Sequence, residues 1–351
     1  MRRVICGVAA MAVGLMTGSE AHTVSQKTTA ATHGLTAVGG LKVGHHTLDR
    51  RPTGCTVILA EGGAVAGVDV RGSAPGTRET DLLDPVNLVQ QVHGIVLSGG
   101  SAFGLAAADG AIKYLEEQRV GFPFGTSVVP IVPAAVLFDL SIGDGRIRPG
   151  PECGYAAAQA ATTGPVVEGN VGAGAGATVG KLLRPDRGMK GGIGSAAIEL
   201  PGGLIVAALV AVNAAGNVVD PLTGRTIAGG RTAEGDAIAD VRTLLRSAVR
   251  APDRTLENTT LAVVATNATL TKVQATKVAQ MAHDGFARAI YPAHLTVDGD
   301  AIFALATGAR PERVDLNQLG ALAADVTAEA IVRAVRAATS IPGYPAARDL
   351  K

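Results

Sequence analysis

A mixed α/β fold is predicted by three observations: short β-rich apolar runs alternate with helical stretches, 47% of the 351 residues are hydrophobic, and no internal repeat interrupts the pattern. A chain of this length and apolar content builds a large core in one or two domains. Runs at 55–60, 67–70, 94–97, 196–199, 204–212, 261–265 and 289–291 read as strands. Helices are expected over 105–118, 236–249, 270–287 and 322–338; in the third, Val278, Met281, Ala282 and Phe286 share one stripe. Residues 251–258 are polar and include Pro252, which reads as an exposed linker.

The first 21 residues are a leader rather than fold. Arg2 and Arg3 form a basic start, residues 4–18 are apolar, and Ser19-Glu20-Ala21 presents small residues where a signal peptidase reads them. Cleavage after Ala21 and a periplasmic or secreted location are expected. An apolar stretch this long falls short of the roughly twenty residues that span a bilayer, and no later run is long and unbroken enough. The formal net charge of +1 becomes 0 without Arg2, Arg3 and Glu20, so no strongly charged partner is implied. Aromatics are only 3% and tryptophan is absent, which argues against a base-stacking nucleic-acid binder. There is neither a CxxC nor an HExxH motif, so neither a metal nor another cofactor is expected. His45 and His46 are adjacent, which turns them to opposite faces of a strand. A disulfide between Cys55 and Cys153 is permitted in an oxidising compartment, but two separated cysteines in a large core read first as buried small hydrophobes.

The most telling local feature is Asn258-Thr259-Thr260 at the mouth of the apolar run 261–265, followed about forty residues later by Asp298-Gly299-Asp300. A threonine hydroxyl is a weak nucleophile without an adjacent base. Cutting the chain just before Thr259 would free its own α-amine, whose ordinary pKa of about 7.7–8.0 leaves a useful neutral fraction near physiological pH. Thr-Thr before a β-rich run is also ordinary strand sequence, and Asp-Gly-Asp alone is an ordinary turn. The glycine-rich tract 172–181 is not a nucleotide loop. Ala175 stands where a P-loop needs glycine, Leu182 where it needs Ser or Thr, and Val179 where a dinucleotide fingerprint needs its third glycine. Gly99-Gly100-Ser101 misses the spacing of a nucleophile elbow by one residue, so Ser101 is expected to cap a helix.

Four segments carry a wider resemblance: Gly72-Ser73-Ala74-Pro75-Gly76-Thr77-Arg78-Glu79-Thr80-Asp81-Leu82-Leu83, Leu97-Ser98-Gly99-Gly100-Ser101-Ala102-Phe103-Gly104, Lys190-Gly191-Gly192-Ile193-Gly194-Ser195-Ala196 and Val264-Ala265-Thr266-Asn267-Ala268. Over about residues 34–345 the chain resembles the family of L-aminopeptidase/D-Ala-esterase, β-aminopeptidases and nylon-oligomer (6-aminohexanoate oligomer) hydrolases. Asn258-Thr259 and Asp298 replace residues of the aminopeptidase branch and point toward the nylon-oligomer branch. The resemblance implies a four-layer αββα sandwich of N-terminal-nucleophile-hydrolase type, self-cleaved at Asn258/Thr259 into chains 22–258 and 259–351. It implies Thr259 as nucleophile, Lys181 as a catalytic cation, Asn213 as an oxyanion donor, and Asp298 and Asp300 holding the nucleophile and its amine. The substrate would be a peptide or an ω- or β-amino-acid amide, and the expected assembly is a homo-oligomer of cleaved units. A self-processing acyltransferase of the ornithine-acetyltransferase kind and a non-catalytic binding protein stay open.

Overall fold

The computed structural model describes residues 33–182, 184–247 and 258–350. The expected leader, and all of the expected linker except Asn258, lie outside these residues. Nine strands share one hydrogen-bonded network: β1 (Lys42–Thr47), β2 (Gly54–Val70), β3 (Thr77–Arg78), β4 (Gln91–Ser98), β5 (Ala134–Val136), β6 (Gly192–Glu199), β7 (Ile205–Val212), β8 (Leu261–Ala268) and β9 (Ala301–Arg310). Their order is β6-β7-β8-β9-β2-β4-β5-β3, with β1 also paired to β2. Two pairs, β8 with β9 and β4 with β5, are parallel.

β2 joins two layers. Its first half pairs with β1 and β4; beyond a register shift Ala64 and Val65 still meet β4, and from Val65 to Val70 the strand pairs with β9. The sequence separates 55–60 from 67–70 because Glu61-Gly62-Gly63 resembles a turn; the structure carries one strand through, with a register shift between Leu59 and Ala64. A strand that changes partners this way folds the network into a sandwich. Between the layers, Ile58, Ile95 and Leu97 meet Leu209, Val263, Phe303 and Leu305. On one outer face Val57, Leu59 and Val96 pack under the helices α1 (Ala107–Glu117) and α2 (Pro151–Gln159).

The other outer face carries α4 (Lys272–Ala289) and α5 (Leu316–Ala337) over Val210, Val264 and Ile302. These layers make the expected αββα sandwich. They also explain the unbroken apolar runs of β7 and β8, since a strand covered on both faces has no side to leave polar. α5 lies so close to β6 that a Cβ on Gly194 would meet the Ala330 carbonyl oxygen at 2.1 Å.

Helix ends follow local capping chemistry. Thr271 and Gln274 form a reciprocal capping box at the start of α4. The Asp315 carboxylate accepts the Asn317 N–H, so α5 begins earlier than the stripe 322–338 suggests. The helix expected over 236–249 is reduced, within the described residues, to α3 (Val241–Arg246), because Asp240 caps it there. A 3-10 turn, Ser101–Ala106, precedes α1 where a single helix is expected. β1 and β9 carry no strand prediction, and β9 turns out to be central. Cys55 and Cys153 are both buried and are joined as a disulfide, which supersedes the reading of two independent hydrophobes.

Phe303 sits wholly buried between the two sheets. Phe303→Ala should therefore cost about 3–5 kcal/mol, seen as a lower midpoint in urea unfolding with an unchanged slope.

Candidate functional site

Strand register assembles the site. Leu261 of β8 faces Ala301 of parallel β9, and Ala211 of antiparallel β7 faces Leu261. The residues just outside those pairs therefore lie side by side at one edge: Asn213 after β7, Thr259 and Thr260 before β8, Gly299 and Asp300 before β9. Thr259 N donates to Asn213 O at 3.0 Å, and Asn258 forms a parallel bridge with Asp298. Asn258 is buried, which corrects its assignment to an exposed linker.

The Asn258 carbonyl is the focus. Thr259 Oγ1 donates to its oxygen at 2.5 Å, and Gly299 N donates to the same oxygen at 2.9 Å. Both donors draw electrons from the carbonyl carbon, with the hydroxyl oxygen beside it. Asn258 N donates to Val297 O at 3.1 Å, holding the residue extended. Thr260 N donates to Asp300 Oδ1 at 2.8 Å, and Leu295 N to Asp298 Oδ2 at 3.0 Å. Asp298 Oδ1 is buried and unpartnered among the described residues.

Lys181 is buried rather than a solvated loop lysine. Its Nζ donates to Asn213 Oδ1 at 2.8 Å, and Thr178 N donates to the same oxygen at 3.0 Å. Asn213 Nδ2 donates to Phe138 O at 2.8 Å. One amide proton is thus committed, leaving Asn213 a single N–H for an oxyanion. Burial lowers the Lys181 pKa to about 7, against the opposing pull of Asp298 and then Asp139. Asp298 is raised to about 7, first by burial and then by the charge of Asp300, with Lys181 acting the other way.

The surrounding shell contains groups the sequence did not single out. Asp139 is buried and accepts Thr53 Oγ1 at 2.6 Å, Gly100 N at 2.9 Å and Arg51 at 2.8 Å. Its only sequence signal is a carboxylate placed directly after the apolar run 128–138. Lys190, fully buried, donates to the carbonyls of Gly174, Ala177 and Gly191, which ties down the loop that delivers Thr178 and Lys181. Ser101 does not act as a cap; Gly100 holds the N-cap position and no side chain caps the turn. Ser101 instead takes a left-handed φ of 54° and lines a cavity of about 160 Å³ with Pro75, Ala102, Phe138, Asn258 and Thr259. The glycines before it serve the fold, since a Cβ on Gly99 would meet Asp139 Oδ2 at 2.3 Å.

A buried hydroxyl, a polarised carbonyl, a lysine and two carboxylates on an αββα sandwich define a class: amide hydrolases of the N-terminal-nucleophile fold type. The profile of peptidase family S58 matches residues 33–348, and the chain belongs to that family. It is 43% identical over 344 residues to an uncharacterized aminopeptidase of Mycobacterium tuberculosis, covering 90% of this chain and 97% of the relative. It is 30% identical over 310 residues to the 6-aminohexanoate-oligomer endohydrolase of Paenarthrobacter ureafaciens, covering 84% of each. The L-aminopeptidase D-Ala-esterase/amidase of Ochrobactrum anthropi, described as a variant of the Ntn-hydrolase fold, superposes with a TM-score of 0.65 at 21% identity over 89% of each chain. The protein is an amidohydrolase. Overall identity to the mycobacterial aminopeptidase exceeds that to the nylon-oligomer hydrolase.

Gly299 offers a direct test of this geometry, because an added Cβ would lie 2.5 Å from Ala74 O and 2.6 Å from Thr259 Oγ1. Gly299→Ala should leave the circular dichroism spectrum unchanged yet reduce amide hydrolysis roughly a hundredfold, the scale of a misplaced reacting group.

Proposed function

We propose that the chain cuts itself between Asn258 and Thr259, and that the freed Thr259 is nucleophile and base of an exported amide hydrolase. One observation carries this reading: the Thr259 hydroxyl and the Gly299 N–H converge on the carbonyl oxygen of the bond to be cut. Attack of Oγ1 on the Asn258 carbonyl carbon moves the acyl group from nitrogen to oxygen. The hydroxyl proton leaves to a neighbouring base, and the expelled nitrogen is protonated as an amine. Water then hydrolyses the ester, releasing the Asn258 carboxylate.

The uncut Thr259 nitrogen is an amide and cannot serve as the base. Lys181 and Asp298, both brought to about 7, are the groups poised to do so.

In the mature enzyme the substrate carbonyl takes the place of Asn258. Thr259 Oγ1 attacks it while the α-amine accepts the hydroxyl proton and passes it to the leaving amine. Gly299 N–H and the remaining Asn213 N–H support the oxyanion, and Lys181 adds positive charge beside it. Asp298 and Asp300 hold the nucleophile and its amine, and water resolves the acyl-enzyme. The similarity to aminopeptidases and to a 6-aminohexanoate-oligomer endohydrolase supports peptides or ω- or β-amino-acid amides as substrates. Residues 1–21 are the export leader, and the cleaved units assemble as a homo-oligomer.

Intact-mass analysis should find chains spanning 22–258 and 259–351, and Thr259→Ala should give one uncut, inactive chain. A cut at any other bond contradicts the mechanism. Deprotonation activates either candidate base, so self-cleavage should accelerate as pH rises through about 7, measured by electrophoresis after a jump from acid.

Lys181→Met on processed protein should lower kcat and kcat/KM together by roughly a hundredfold. Near-normal kcat with an unchanged pH profile would reduce Lys181 to a structural role.

A further inference from the structure

The mechanism uses Asp300 but leaves unexplained what holds it. His294 lies between α4 and β9, in the segment leading to Asp298. Its φ is +56°, in the left-handed region that residues other than glycine seldom enter. In that conformation two of its groups reach one oxygen: the main-chain N–H meets Asp300 Oδ2 at 3.2 Å, and ring Nδ1 lies 2.9 Å from the same atom. The opposite oxygen, Oδ1, accepts the N–H of Thr260, the residue following the nucleophile. Asp300 is therefore clamped at both ends, with His294 behind and the reactive segment in front.

The surroundings of His294 are closed. Its ring stacks on Phe286, 5.8 Å between centroids, and meets His283 edge-on at 4.8 Å, both from α4. Its Nε2 is buried and has no partner among the described residues. His283 is occupied elsewhere, with Nε2 3.0 Å from Asp69 O and 3.4 Å from Asp69 Oδ2. Burial lowers the His283 pKa to about 4, so it faces His294 as a neutral ring. Arg71 is paired with Asp69. Of the charged and titratable groups around His294 among the described residues, only Asp300 bonds to it, and the charge of Asp300 raises the proton affinity of Asp298 beyond the effect of burial.

We propose that His294 is a positioning residue for amide hydrolysis: its ring Nδ1 and main-chain N–H hold the Asp300 carboxyl group aligned on Thr260, the residue after the nucleophile. This rests on Thr259 being the nucleophile. It assigns the two carboxylates different jobs, Asp300 aligning the segment that carries the nucleophile and Asp298 exchanging a proton.

Two variants suit the left-handed backbone. Asparagine tolerates it and keeps a side-chain N–H close to the position of Nδ1, whereas glycine tolerates it and offers none. On processed protein acting on an amino-acid p-nitroanilide, His294→Asn should keep kcat within about threefold of wild type. His294→Gly should lose roughly ten- to a hundredfold in kcat with KM little changed. The rescue decides: if His294→Gly keeps kcat within about threefold of wild type, or if His294→Asn loses as much as His294→Gly, the proposal is overturned. If His294→Gly processes itself too slowly to be assayed, the comparison is made on the rate of self-cleavage, where His294→Asn should stay within about threefold of wild type. Complete loss of cleavage in both variants, with native circular dichroism, also overturns it, since asparagine should rescue. Thr259→Ala is assayed beside them. Should it hydrolyse the anilide like wild type, the nucleophile assignment fails, and that outcome is distinct from any result at His294.

Discussion

The register of three neighbouring strands is the constraint on which the rest depends. β7, β8 and β9 are locked by main-chain hydrogen bonds, and their ends coincide at one edge of the sheet. A slip of one residue in β9 would turn Asp300 to the other face and carry Gly299 away from the Asn258 carbonyl. Both faces of these strands are buried, so such a slip would also expose apolar side chains. Packing of Val263 and Phe303 inward, and of Val264 and Ile302 outward, thus fixes chemistry at the strand ends.

A second consequence is electrostatic. Lys181, Asp298 and Asp300 are all buried, which is costly for charged groups and sustained only where partners compensate. Lys181 and Asp298 respond with pKa values drawn together at about 7, the range in which one can give and the other take a proton. Further back, the fully buried Arg51–Asp139 pair anchors the turn at Gly100, and Lys190 holds the glycine loop by three carbonyls. The support of the site is thus built from main-chain groups and buried polar contacts rather than from exposed side chains.

Much of the layer structure was legible from patterning. Runs 204–212 and 261–265 lie in β7 and β8 with small end errors, and Val278, Ala282 and Phe286 of the α4 stripe enter the core with the sheet while Met281 packs on α5 at Gly320. Misses share a physical cause. β2 was split because Gly62 and Gly63 look like a turn, although an extended strand passing between sheets also uses glycine. β9 escaped because Ala301–Arg310 mixes alanine with a glycine and has no β-branched run, so only its partners on both sides make it a strand. Ser101 was read as a cap from its position alone, whereas the left-handed backbone at Gly100 and Ser101 turns it toward the cavity.

By itself the sequence determined a mixed α/β fold, because apolar periodicity is a local property of the chain, and its motifs carried the family resemblance, which in turn implied Lys181, Asn213, Thr259, Asp298 and Asp300 as the site. Tertiary structure alone decided that a glycine N–H meets the Asn258 carbonyl, that Asn213 faces Lys181 with its oxygen, and that Asp139 and His294 stand behind the site. Those facts depend on which strand ends coincide and on how much water is excluded. Both are set by contacts between residues tens to hundreds of positions apart.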